Sequence, residues 1–221
     1  MPLFYQHNIN DSTKLAVWKI TESEDFFLEK VSVQKEITHP HKRLQHLAGR
    51  YLLQILHPDF PFQLIEIAPS KKPLLSSGKL RFSISHCNDF AAAIISEKKL
   101  VGIDVELVTP KIKLVKTRFL REDEIALLPA DISPHISHQL LTLFWSAKES
   151  IFKWYGKGHL SFKNNMSLNE LRFEKGEGFI NANFIKDEKI DLKIHFRFFD
   201  NLCLAWVISN NEAGKFNRYE N

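Results

Sequence analysis

The 221-residue chain has two cysteines, Cys87 and Cys203, and no Cys-x-x-Cys or Cys/His spacing suited to zinc, so neither a disulfide framework nor a zinc module is expected. No stretch reaches the about eighteen consecutive apolar residues needed to cross a bilayer, and the opening Met-Pro-Leu-Phe-Tyr-Gln-His-Asn lacks a basic segment followed by an apolar run. These absences point to a soluble cytoplasmic protein without a membrane partner. There is no Gly-x-x-x-x-Gly-Lys loop and no kinase motif, which removes the usual ATP-binding signatures. Charge is not one-sided either: the net charge is only +4, and its densest basic stretch (Lys111, Lys113, Lys116, Arg118, Arg121) lacks any recognition-helix or RNP-like pattern. No nucleic-acid partner is therefore expected, and a groove for phosphates and an acidic protein explains the charge with fewer assumptions.

What is present argues for a folded globule: 44% of residues are hydrophobic and 12% aromatic. Periodicity predicts strands at 15–20, 64–67, 80–85, 91–96 and 101–106, with a Thr21-x-x-Glu24 capping box opening a short helix and a basic amphipathic helix near 40–56. After Thr109-Pro110 comes a similar order: a basic segment, helices near 122–128 and 138–155, then strands near 170–174, 178–185, 190–199 and 202–209. No internal sequence repeat is readable.

Two segments carry chemistry. In Gly102-Ile103-Asp104-Val105-Glu106 the period of two puts Asp104 and Glu106 on one face, roughly 7 Å apart. In 144–153 the helical period stacks Leu140, Phe144, Ala147 and Ile151 into an apolar stripe and leaves Glu149 and Lys153, four apart, together on the other side. Three carboxylates and nearby lysines can hold magnesium against a phosphate ester, because magnesium takes hard oxygen ligands and keeps some water. A third segment, 81–96, is a strand, a polar turn and a second strand, and gathers Ser85, His86, Cys87 and Asn88 at the turn. Cys87 is not paired with His86 as a thiol nucleophile, since neighbours on a strand face opposite ways.

Phe82-Ser83-Ile84-Ser85-His86, Gly102 to Glu106, and Trp145-Ser146-Ala147-Lys148-Glu149-Ser150-Ile151-Phe152-Lys153, in this order and spacing, resemble the three signature motifs of the 4'-phosphopantetheinyl transferase superfamily, in its longer Sfp-type form. Lys72-Pro73 and Gly156-Lys157-Gly158 also fit. The resemblance covers about residues 71 to 160. It departs at Lys71, where the family usually has glycine.

The resemblance implies an enzyme that moves the phosphopantetheine arm of coenzyme A onto a serine of an apo acyl or peptidyl carrier protein, releasing 3',5'-ADP, with magnesium required. By the same likeness Asp104, Glu106 and Glu149 are the metal ligands. Glu149 is favoured as proton acceptor over Lys153; Lys153 and Lys148 act as catalytic cations, and Glu124 matches a family glutamate near the site. Arg43 or Arg50, with Lys72, Pro73, Ser85 and His86, are expected to hold the 3'-phosphate and adjoining parts of coenzyme A, with Arg43 slightly favoured. The carrier is expected to dock on the apolar side of 119–128 and adjacent basic residues.

The implied fold is α+β: a pseudo-two-fold pair of similar halves, residues 1–108 and 109–221, each an antiparallel sheet packed with helices, with the active site at their interface and a monomer sufficient. An inactive coenzyme A-binding regulatory or scaffold module is the alternative. It is disfavoured because binding alone does not need a complete set of proton-transfer and leaving-group residues.

Overall fold

The computed structural model describes residues 3–31, 37–76, 78–186 and 188–212. It is α+β, with antiparallel strand pairs in each of two compact units, the first holding the residues up to Val101 and those from Asn210 and the second comprising Gly102–Ser209. Among the described residues no helix is long and apolar enough to cross a membrane.

In the first unit β1 (Leu3–Asn10), β2 (Thr13–Lys19), β6 (Phe90–Ser96) and β5 (Arg81–Cys87) form a four-stranded sheet in the order β1-β2-β6-β5. Helix α2 (Pro40–Leu56) packs on it, and the short α1 (Glu24–Leu28) packs on α2. The start of α2 follows from its sequence. Pro40 sits at the first turn, where a missing N–H costs nothing, and the His39 ring accepts from the Lys42 N–H. Leu47, Ala48, Leu52, Leu53 and Leu56 are buried in one cluster with Trp18, Phe82, Ala91, Ala93 and Ile95. Each buried leucine contributes roughly 1.5–3 kcal/mol. The alanines of β6 and Gly49 keep the contact thin; a Cβ on Gly49 would stand 2.7 Å from the Ile84 Cγ2.

Two local expectations are corrected here. The helix α1 is not opened by a Thr21/Glu24 capping box: its N-cap is Ser23, and Glu24 is the first helical residue. The Glu24 carboxylate instead takes the Arg43 guanidinium as a two-pronged pair, at 2.6 and 2.7 Å, tying α1 to α2. The loop carrying Lys72-Pro73 is a hairpin between β3 (Ile65–Ile67) and a short β4 (Pro73–Leu75), which the sequence reading had not separated.

In the second unit the order is β7-β11-β10-β9-β8, where β8 (Met166–Glu174), β9 (Glu177–Ile185), β10 (Lys189–Phe199) and β11 (Leu202–Glu212) form an antiparallel meander and β7 (Lys99–Leu107) pairs with β11. Helices α3 (Ile112–Phe119), α4 (Glu122–Ile125) and α5 (Pro134–Tyr155) complete it. The long α5 is capped at both ends. The Ser133 hydroxyl accepts from the Ile136 N–H ahead of Pro134, and Gly156 ends the helix at φ 73°, a left-handed conformation that suits glycine. The predicted stripe Leu140, Phe144, Ala147 and Ile151 is buried.

The division falls inside β7, at Val101–Gly102, and not after residue 108. The physical reason is strand pairing: β7 hydrogen-bonds into the second sheet through β11. Asp104 and Glu106 therefore belong to the same unit as Glu149, and do not close the first half as expected.

Candidate active site

On β7 the alternation holds. Ile103 and Val105 are fully buried on one face, and Gly102, Asp104 and Glu106 lie on the other. Gly102 sets the distance to α5. A Cβ there would stand 2.0 Å from the Ser150 carbonyl oxygen and 2.7 Å from the Trp154 nitrogen, so only glycine lets the helix backbone come this close. Two residues on, Asp104 is buried and accepts from the Lys153 ammonium at 2.7 Å. The helix face expected to look back at the strand does so.

Glu149 carries the most informative electrostatics of this face. Burial pushes its carboxyl up to about 7, and the charges of Asp104 and Glu106 push the same way, while Lys153 pulls it down. Three carboxylates thus act on one another with a single lysine between them. Among the described residues no three His, Cys, Asp or Glu side chains converge as a ready-made metal-ligand group, and the Lys153 cation is the one seated on Asp104. The donor set fits a hard divalent cation nonetheless: its oxygens are anionic, and their mutual repulsion, read from Glu149, is what a divalent ion relieves.

A stability effect follows from Glu149. Its folded-state value lies above the 4.5 it has when unperturbed, so between about 4.5 and about 7 the folded chain holds a proton that the unfolded chain has lost. Stability should therefore fall as pH rises through that window and level off above it. Urea midpoints across this range should show this downward component in the wild type and lose it in Glu149→Gln; an equal slope in both contradicts the assignment.

Lys148 differs from expectation. It is fully buried, and its ammonium donates to the carbonyl oxygens of Phe119 at 2.9 Å, Phe162 at 2.9 Å and Met166 at 3.1 Å and to Glu124 at 2.8 Å. Burial lowers its pKa to about 8, with Glu124 opposing. An ammonium has three N–H donors, and these four oxygens occupy them, so none is left for a substrate phosphate. Glu124, carried from the sequence as a residue near the site, is fully buried as the partner of Lys148 and also accepts from the backbone N–H groups of Arg121 at 2.8 Å and Leu168 at 2.9 Å.

The residues expected to hold coenzyme A lie in the first unit. Lys72 is half-buried, and burial, with the Arg81 charge, brings it down to about 8. Lys71, where the family has glycine, has φ 66° and so takes the left-handed conformation that glycine adopts without strain. The departure at that position is in side chain and leaves the turn intact. Pro73 opens β4, a strand position where its missing N–H is tolerated. Ser85 and His86 are successive residues near the end of β5, the first buried and the second exposed. Arg50 is 4% exposed, bonded to the His46 ring at 3.0 Å, and burial lowers its pKa. The Arg43 side chain keeps 29% of its surface open.

Sequence reasoning used Gly102 only as a neighbour of the carboxylates and missed its role as the spacer for α5. Its place between the β-branched Val101 and Ile103, two residues before Asp104, is the signal, since a glycine inside a strand marks a close approach of another backbone.

Comparison with known proteins agrees with the motifs. Residues 100–207 match the family model of the 4'-phosphopantetheinyl transferase superfamily. Over 115 residues, 51% of this chain, the sequence is 31% identical to enterobactin synthase component D of Salmonella typhimurium and 32% identical to that of Salmonella typhi. In each case 47% of the relative is covered, so the chain spans about half the length of the curated relatives it matches. The matched segment contains Gly102, Asp104, Glu106, Glu124, Lys148, Glu149 and Lys153. Over residues 100–207, close to half of its length, the chain is thus similar to the 4'-phosphopantetheinyl transferase superfamily.

Proposed function

We propose that the chain is a magnesium-dependent 4'-phosphopantetheinyl transferase of the Sfp type, which moves the phosphopantetheinyl group of coenzyme A to a serine of an apo acyl or peptidyl carrier protein. The observation that carries the reading is the facing of Asp104 on β7 by Glu149 and Lys153 on α5 inside the family-matched segment. The serine Oγ bonds to the phosphorus that bears the pantetheine arm, and the bond from that phosphorus to the bridging oxygen of the pyrophosphate breaks. The electron pair leaves on 3',5'-ADP.

Glu149 takes the serine proton. A carboxylate has two oxygens, so proton acceptance and metal ligation can fall to different atoms of the same group. Lys153 offers its ammonium to the charge that grows on the leaving 3',5'-ADP. Asp104, Glu106 and Glu149 would hold magnesium, which supplies charge neutralisation at the pyrophosphate when bound. Release of 3',5'-ADP, followed chromatographically, should require apo carrier and magnesium together; release without carrier, or none at all, contradicts the reading.

For the ligand's 3'-phosphate, Arg43 is the better candidate than Arg50. Its fork is oriented by Glu24 and still reaches solvent, whereas Arg50 is buried. Lys72, Pro73 and the exposed His86 are assigned to the same ligand. Arg43→Ala should raise KM for coenzyme A about tenfold and leave KM for the 3'-dephospho form unchanged. The same selective rise in Arg50→Ala, and not in Arg43→Ala, would reverse the assignment.

A further inference from the structure

We infer that Lys148 and Glu124 are positioning residues: together they fix the rotation of α5 so that Glu149 and Lys153 meet Asp104, and neither touches substrate. The inference rests on the transferase reading for its kinetic consequence only.

Lys148 precedes Glu149 on the helix, and both Lys148 and Glu124 are fully buried. The ammonium collects oxygens from separate places in the unit: Phe119 at the end of α3, Glu124 in α4, Phe162 in the loop after α5 and Met166 at the start of β8. Glu124 in turn holds the N–H of Leu168 in β8 and the N–H of Arg121 at the head of α4. The two buried charges by themselves are a weak source of stability; the backbone groups they hold add to it, because apolar replacements leave those groups without these partners. What apolar residues cannot reproduce is direction, because each hydrogen bond requires its donor to point at its acceptor.

Rotation is the motion these bonds oppose. With Cα atoms about 2.3 Å from the helix axis, a turn of about 20° moves each Cα by about 0.8 Å and side-chain ends by more. Misplacement of about 1 Å at reacting groups costs about a hundredfold in rate. The Lys153–Asp104 contact at 2.7 Å is the visible readout of correct rotation.

The test uses the double variant Lys148→Met/Glu124→Leu, which removes both charges together, and Glu124→Gln as an isosteric second variant should the double variant fail to fold. The expected result is a lowered urea midpoint in the double variant, because the backbone groups that Lys148 and Glu124 held lose those partners, with kcat lowered about a hundredfold at unchanged KM for coenzyme A in whatever fraction is folded. In crystals of either variant the Lys153 Nζ to Asp104 Oδ1 separation should open beyond about 3.5 Å. Wild-type kcat in a variant whose ion pair is gone, or a Lys153–Asp104 contact unchanged in its crystals, overturns the inference. A wild-type chain that transfers nothing refutes the transferase reading instead, and the crystallographic comparison still decides this one.

Discussion

Glu149→Gln is expected to abolish transfer, lowering kcat by about a thousandfold or more while the fold survives. The exchange keeps size and shape and removes two capacities at once: a neutral amide takes no proton from the carrier serine, and it gives a metal ion no anionic oxygen. The fold has no reason to suffer. Glu149 is held against burial and against the charges of Asp104 and Glu106, so its ionised form is a strain on the folded chain above about pH 7. The inactive variant should accordingly be more stable than wild type at pH 8 and lose that advantage below about pH 4.5. Single-turnover rates and urea midpoints measured on the same preparations separate the two effects. Near-normal turnover in Glu149→Gln would remove Glu149 both as proton acceptor and as essential ligand.

Gly102→Ala should damage stability and rate together. The added methyl would stand 2.0 Å from the Ser150 carbonyl oxygen and 2.7 Å from the Trp154 nitrogen, and both are helix backbone that cannot rotate aside. The strand and α5 must separate by more than 1 Å, which loosens the packing beneath Trp154 and draws Lys153 away from Asp104. A loss of about 1–3 kcal/mol in stability is expected from overpacking of this kind, with kcat down about a hundredfold from misplacement. Gly49→Ala is the control: its methyl meets the end of the Ile84 side chain, which can turn away, so both losses should be smaller. Wild-type stability and rate in Gly102→Ala would contradict the spacer role.

The facing of Asp104 and Glu149 was legible because it depends on two local periods, that of a strand and that of a helix, and local periods are written in the chain. So were the limits of α2, where Pro40 and the apolar spacing agree, and the buried stripe of α5. The start of α5 at Pro134 was available too, from Ser133 as cap and proline at the first turn, although the apolar period alone suggests a later start.

What could not be read is pairing between distant segments. Lys148 follows Ala147 of the apolar stripe directly, but nothing local says that carbonyls of Phe119, Phe162 and Met166 converge on its ammonium. Likewise the unit of β7 is decided by which sheet edge its backbone joins, a pairing with β11 about a hundred residues away. The edge strand β1 went unseen because it is largely polar and exposed, and is defined by its pairing with β2 across the turn at Asp11-Ser12. Helix α3 was read as a basic run, since its eight residues are too few for propensity to assert itself without the packing on α5.

The most direct measurement is the intact mass of a panel of apo carrier proteins incubated with this chain, coenzyme A and magnesium. The predicted result is one added phosphopantetheinyl group on at least one carrier, absent when the carrier's serine is replaced by alanine or when magnesium is chelated. Unmodified mass on every carrier, with coenzyme A binding intact, would contradict the transferase and leave a binding module in its place.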